Sequence, residues 1–234
     1  MEDFFIAERF RSDGIVTAVD VTHAEGQLSR HLEAVKQVTM ADRLLLTKCD
    51  LATPEQKTQV SRRIARLNPG APQTEVHGGA VDAAALAGCG LYDPTTKTAD
   101  VRRWMAEEAV HAVADEAGTA HAHDHDRHDA LVHSFVLRFP QPFVWGEFAE
   151  AMDVLLSTCG DRILRVKGLV GVVGESAPRV VHCVQHVRYP EAGLPAWPDA
   201  DHDSRLVFIV RNFQREYVEK AFAMFCGASA EGAA

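Results

Sequence analysis

The chain has 234 residues, 47% of them apolar, which is enough to bury a sizeable core in one or two domains. Its 33 acidic and 24 basic side chains give a net charge of −9, and no basic stripe stands out, so neither nucleic acid nor an anionic membrane is expected as a principal partner. No apolar run approaches the ~20 residues needed to span a bilayer, and the acidic Met1 to Ile6 stretch is too short in its apolar part to be a secretory signal. Five scattered cysteines (49, 89, 159, 183 and 226) contain no Cys-x-x-Cys pair, so a disulfide framework is not indicated and a reducing, cytoplasmic home is expected.

In chain order, residues 14–20 (GIVTAVD) read as a buried strand and 27–39 as a helix. Residues 42–47, carrying Leu44-Leu45-Leu46, read as a second strand. Thr53 caps a helix with Pro54 at its first position, running to about Leu67 before Asn68-Pro69-Gly70 stops it. Residues 73–77 form a third strand, followed by Gly78-Gly79. Strands alternating with helices predict right-handed crossovers and a parallel sheet, here half of a doubly wound one, with an edge that needs a cover.

Residues 99–116 predict an amphipathic helix marked by Val101, Trp104, Met105 and Val113. The segment 121–129 has almost no apolar content and predicts a linker or surface loop. Beyond it the pattern changes to strands at 131–139, 162–173, 179–188 and 206–211, with helices at 145–157 and 214–225. Short turns between strands and two covering helices predict an α+β domain around an antiparallel sheet. The resulting division is 1–117, a linker at 118–130, and 131–234.

The chemistry concentrates in two places. Thr47-Lys48-Cys49-Asp50 follows the leucine run, at the carboxyl end of a predicted parallel strand. A carboxylate there can accept hydrogen bonds from both the ring N–H and the exocyclic amine of guanine, and it rejects adenine, which presents an acceptor instead. The stem of Lys48 can lie over the base, and Thr47 can tie the turn to neighbouring backbone. Yet no Gly-Lys dipeptide occurs in the chain, so a glycine-rich phosphate cradle with its lysine is absent.

The second place is the tract holding His121, His123, His125 and His128, interleaved with Asp124, Asp126 and Asp129. Imidazole suits zinc, nickel and copper, and the expected binding is weak and exchangeable, set against a solvated linker that meets metal only adventitiously. His182-Cys183-x-x-His186 is a poorer metal candidate. In a regular strand the two histidines stand ~13 Å apart with the cysteine on the opposite face. Arg165 and Lys167 alternate with Leu164 and Val166, which predicts the exposed face of a half-buried strand, with a docking surface for a client as the open alternative.

Taken together, these stretches resemble the CobW-type GTPases, a family of metal chaperones and metal-insertion factors. Asp13 to Asp20 is similar to that family's strand after the second switch region. Gln37 to Asp42 with Leu44 to Leu51 resembles its guanine-specificity segment, and Leu67-Asn68-Pro69 and Gly79 to Asp82 resemble the stretches that follow. A histidine-rich tract, Arg165-Val166-Lys167-Gly168, Val184-Gln185, and Trp197 ahead of Leu206 to Ile209 complete the order.

The resemblance implies an α/β chain with a partial P-loop-type parallel sheet, then a smaller α+β C-terminal domain with an antiparallel sheet. It implies contacts to GTP from Thr47, Lys48 and Asp50, with His77 and Gly78 in a second base-contacting loop. Zinc or another divalent transition metal, a client metalloprotein, and a role in zinc homeostasis or cobalamin synthesis follow from the same likeness. The family's P-loop, cysteine-rich metal motif and glutamate-containing switch have no counterpart here, so an amino-terminally truncated chain is expected. Such a chain would hold only the guanine end of GTP, weakly, without hydrolysing it. A fragment, a reading frame started late, and a protein that has lost its catalytic half all stay open. An incomplete sheet also predicts self-association. Two rival readings are a non-enzymatic metal-buffering module and an interaction protein that completes a sheet with another polypeptide.

Overall fold

Leu44, Leu45 and Leu46 lie in the central strand of a three-stranded parallel sheet ordered β1 (Val16–Asp20), β2 (Arg43–Thr47), β3 (Gln73–Glu75). The computed structural model describes residues 13–83, 86–87 and 131–230; the predicted helix at 99–116 and the histidine tract fall outside them. Helices α1 (Ala24–Arg30) and α2 (Leu32–Met40) connect β1 to β2, and α3 (Pro54–Leu67) connects β2 to β3. The pleat sends Leu44, Leu46 and Val19 into one core with Leu28, Val35, Val38, Val60, Ile64 and Leu67 from these helices.

Local sequence sets the helix ends. Thr53 and Gln56 form a reciprocal capping box ahead of α3, with Pro54 where its missing N–H costs nothing. The helix expected over 27–39 is instead two, parted at His31, whose extended backbone (φ −122°, ψ 108°) breaks the hydrogen-bond ladder where no Gly or Pro marks it. Buried Arg63 of α3 donates to the Glu25 carbonyl and carboxylate and to Ser29 Oγ, joining α3 to α1.

The second sheet is antiparallel and runs in the order β4 (Val132–Phe139), β9 (Ser204–Arg211), β5 (Ile163–Val170), β6 (Arg179–Val184), β7 (Val187–Arg188), with β8 (Ala192–Gly193) beside β6. Helices α4 (Trp145–Cys159) and α5 (Arg215–Cys226) cover one face. There Phe139, Phe143, Phe148 and Phe222 meet at ring-centroid distances between 5.0 and 5.8 Å. Gly168 lies where β5 runs close against β9, and a Cβ there would strike the Arg205 carbonyl and the Leu206 side chain.

Two expectations need correction here. The other face of the second sheet is not open to water: β5 lies against α2 and β4 against α3, so these helices are sandwiched between the sheets. Arg165 and Lys167 are therefore not a solvated stripe but reach a carboxylate of the first unit. The strand expected over 179–188 is a hairpin, turned at Gln185 (φ 50°) and His186. His182 then stacks on Tyr189 at 4.9 Å, while His186 Nδ1 meets the Leu156 carbonyl at the end of α4 (2.8 Å). Burial pushes the Cys183 thiol up to about 12. These three residues do not converge, and the metal reading of them falls for this reason, not for the spacing of a regular strand.

Candidate guanine-binding corner

Parallel strands deliver their carboxyl ends to one edge, and the candidate residues arrive there together. Asp20 and Thr47 end β1 and β2 in register, and the Val21 N–H donates to the Thr47 carbonyl (3.2 Å). Thr47 Oγ1 donates to the Val19 carbonyl (3.2 Å), which ties the turn to the neighbouring strand. The chain then passes through Lys48 in the left-handed region (φ 58°), an uncommon conformation for a residue with a Cβ. That turn sends the Lys48 side chain across to β1, where Nζ meets Asp20 Oδ2 at 2.7 Å.

Asp50 is exposed, and its Oδ1 accepts the Gly78 N–H (3.3 Å). This contact joins the second predicted loop to the first. Below it, the Val76 N–H donates to the Leu46 carbonyl (2.8 Å) and the Cys49 N–H to the Val76 carbonyl (3.4 Å). Gly78 and Gly79 both take positive φ (58° and 76°), which only glycine adopts freely. His77 leans on Glu75 (Nε2 to Oε2, 3.3 Å), and Glu75 also holds Lys57 (3.2 Å). Cys49 is buried, and desolvation raises its thiol. Thr47, Lys48, Asp50, His77 and Gly78 thus share one edge, with Asp50 and Gly78 in contact.

A residue that composition and motif did not single out is Asp20. It accepts from Lys48, from the Thr22 N–H (3.0 Å) and hydroxyl (2.6 Å), and faces His23 Nδ1 (3.1 Å). Partial burial alone would raise this carboxyl, but the Lys48, Thr22 and His23 contacts outweigh it and hold it well below the usual carboxylate range. The signal was present in the sequence, since Asp20 closes one strand just as Asp50 follows the next. But β1, expected as a buried strand, buries only Val19 and lies at the edge of the described sheet with Val16 and Ala18 exposed.

At the opposite end of β2 sits Asp42, fully buried, with Arg165 and Lys167 of β5 on its Oδ1. Burial pushes this carboxyl up, yet the charges of Arg165 and Lys167, with His182 and the Ile15 N–H, hold it well below its ordinary range. Asn68, 1% exposed, donates through Nδ2 to the carbonyls of Val38, Thr39 and Ala41 (2.8, 3.2 and 2.9 Å), closing the end of α2 just before Asp42.

Comparisons with known proteins find matches to both halves of the chain. Residues 2–75 match the family model described as the CobW/HypB/UreG nucleotide-binding domain, and residues 132–226 match the cobalamin synthesis protein cobW C-terminal domain. The chain belongs to the CobW-type family.

Among curated proteins it is 30% identical over 225 residues to the zinc chaperone YjiA of Escherichia coli (strain K12), covering 93% of this chain and 62% of that one. Among solved structures it is similar to the Zn(II)-bound YjiA GTPase from E. coli, with a TM-score of 0.66 and 26% identity over 95% of this chain and 64% of that one. A Zn(II)-bound triple mutant of the YjiA GTPase gives the same TM-score and identity, covering 96% and 64%. The chain therefore spans less than two thirds of these relatives. Its parallel and antiparallel sheets match the fold class expected for a CobW-type chain. Among the described residues no group of three or more His, Cys, Asp or Glu is placed to hold a metal ion, and His121, His123, His125 and His128 lie outside them. No described helix is long and apolar enough to cross a membrane.

Proposed function

We propose that this chain works as a guanine-nucleotide-linked metal chaperone or insertion factor of the CobW type, in the cytoplasm, handing zinc or another divalent transition metal to a client metalloprotein. Residues 1–117 supply base recognition, 118–130 a metal-collecting linker, and 131–234 the client-facing or regulatory domain. The observation that carries the reading is the meeting of Thr47, Lys48, Asp50 and Gly78 at the carboxyl edge of the parallel sheet, in a chain whose two halves both match the family.

In this reading Asp50 keeps acceptor capacity beyond its bond to Gly78 and takes the two N–H donors of guanine. Thr47 fixes the turn, the Lys48 stem floors the base, and His77 with Gly78 forms the facing loop. Most of a nucleotide's charge lies on its phosphates, and the 234 residues contain no Gly-Lys dipeptide to cradle them. The chain therefore binds GTP weakly, by its base, and does not hydrolyse it alone. His121, His123, His125 and His128 hold the metal loosely enough to pass it on.

Calorimetry with GDP and xanthosine diphosphate tests the base site. Xanthine replaces guanine's exocyclic amine with an oxygen, which an amide can satisfy and a carboxylate cannot. Asp50→Asn should weaken GDP and favour the xanthine nucleotide by about tenfold or more. An unchanged preference, or no binding of GDP by the unaltered chain, refutes the site. A parallel zinc titration should lose its binding when the four tract histidines become Ala. Retained zinc binding removes the tract from the account, and Mg²⁺-dependent GTP turnover by the pure chain contradicts the hydrolysis claim.

A further inference from the structure

The two strands that end at the guanine corner both begin at one buried carboxylate. Asp42 Oδ2 accepts the Ile15 N–H (2.9 Å), and the Asp42 and Arg43 N–H groups both donate to the Ile15 carbonyl (2.7 and 3.2 Å). Asp42 therefore clamps the start of β1 to the start of β2. Five residues further on, these strands carry Asp20 and Thr47, with Asp50 just beyond. The same carboxylate receives Arg165 Nη2 and Lys167 Nζ (2.9 Å) from β5. In turn β5 is paired on both sides, to β9 and β6, so it moves only with its sheet.

Backbone contacts reinforce the junction. The carbonyls of residues 37–41 are each engaged: Gln37 by Thr17 Oγ1, Val38, Thr39 and Ala41 by Asn68, and Met40 by Arg165 Nη1. The end of α2 is thereby held by the first sheet, by the residue that caps α3, and by the second sheet at once. Arg165 is 5% exposed and Asp42 0%, so the charges meet where water screens them little. Removing either side leaves buried charge without its partner, the costly condition for an ion pair of this kind. The opposite face of β5 is occupied by the α4–α5 core, so Arg165 and Lys167 have no alternative way to turn within the sheet.

We propose that Asp42, gripped by Arg165 and Lys167, is the lock that holds the C-terminal sheet in fixed register with the strands of the guanine corner and transmits nucleotide occupancy to that sheet. The transmission half rests on the guanine reading above; the lock itself does not. The connection is mechanical and short: β1 and β2 are rigid, paired elements with the lock at one end and the corner at the other.

Peptide-resolved hydrogen exchange on the full chain tests it. Without ligand, Asp42→Asn and the Arg165→Met/Lys167→Met pair should each speed exchange at 37–43 and 163–168 by about tenfold or more. Protection in the centre of β9 around Phe208 should persist, because that unit keeps its own core. The combined variant should exchange no faster than Asp42→Asn alone, since all three residues act as one contact. If Asp42→Asn abolishes folding, Lys167→Met replaces it, because Lys167 is 23% exposed and its loss leaves the Arg165 pair in place; it should speed the junction two- to threefold. Unchanged junction exchange, or effects that add, overturns the lock.

With GDP, the unaltered chain should show slower exchange at 163–168, and the Arg165→Met/Lys167→Met pair should lose that response while binding GDP within about threefold. GDP binding that never reaches β5 overturns the transmission. Failure of the unaltered chain to bind GDP instead refutes the guanine reading, and the ligand-free comparison still decides the lock.

Discussion

Asn68 offers the sharpest test of how this fold is held. Its side-chain nitrogen reaches three carbonyls, but an amide NH₂ has two hydrogens, so one hydrogen is shared. Replacing Asn68 with Ala removes two bonds of ~1 kcal/mol net each and strands buried carbonyls at ~1–3 kcal/mol, which together give a loss of about 3–5 kcal/mol. Asn68→Asp should cost roughly 1 kcal/mol more than Ala at pH 7, because it turns a carboxylate toward three oxygens at the negative end of a helix. That carboxyl would have a raised folded-state pKa, so its penalty shrinks as pH falls and the introduced acid takes up a proton. The assay is urea unfolding followed by far-UV circular dichroism at pH 7 and pH 5, with Asn68→Ala as the reference that shares every other titration. A loss below about 1 kcal/mol for Ala, or Asp and Ala variants that stay equal at both pH values, would show that Asn68 does not close α2.

Gly168→Ala should lower stability by about 1–3 kcal/mol, read as a drop in thermal midpoint, because its methyl group meets β9 backbone that cannot withdraw. Acid should destabilise the chain through Asp42 and Asp20, whose carboxyls are depressed by their partners. Their contribution is complete above the unfolded-state value of roughly pH 4 and is lost as pH falls further toward the folded-state values, so urea midpoints should hold from pH 7 to 5 and fall below ~4. Asp42→Asn should flatten that acid limb, and an identical limb in the variant counts against the assignment. Cys49 and Cys183 should resist iodoacetamide in the folded chain at pH 8 and label on unfolding, as mass spectrometry of the modified peptides will report, because burial raises both thiols.

Much of the fold was legible because apolar runs and breakers agree with one another. Leu44 to Leu46 read as a parallel strand and form the central one; Thr53, Pro54 and Gln56 read as a helix start and form a full capping box. The placement of T-K-x-D at the carboxyl edge of the sheet was legible for the same reason, since the segment directly follows a parallel strand. The hairpin at Gln185 was not, because the residue taking positive φ is neither Gly, Asn nor Asp. The break at His31 likewise carries no local mark.

Arg165 and Lys167 show a deeper limit. Alternation of polar and apolar residues says only that one face of a strand is compatible with charge, and water and a buried carboxylate satisfy that condition equally. The partner is Asp42, separated by 123 residues from Arg165, and no periodicity reaches that far. Asp20 shows the reverse, a residue whose position was readable but whose role depended on where Lys48 points. With Lys48 about half exposed, that pair adds little to stability, at most ~1 kcal/mol. Its effect is orientation. Anchored in a left-handed turn at one strand and tethered to a carboxylate on the next, the lysine side chain is ordered by the fold itself, so that under the proposed guanine reading the entropy of ordering it would be met in the fold rather than at binding.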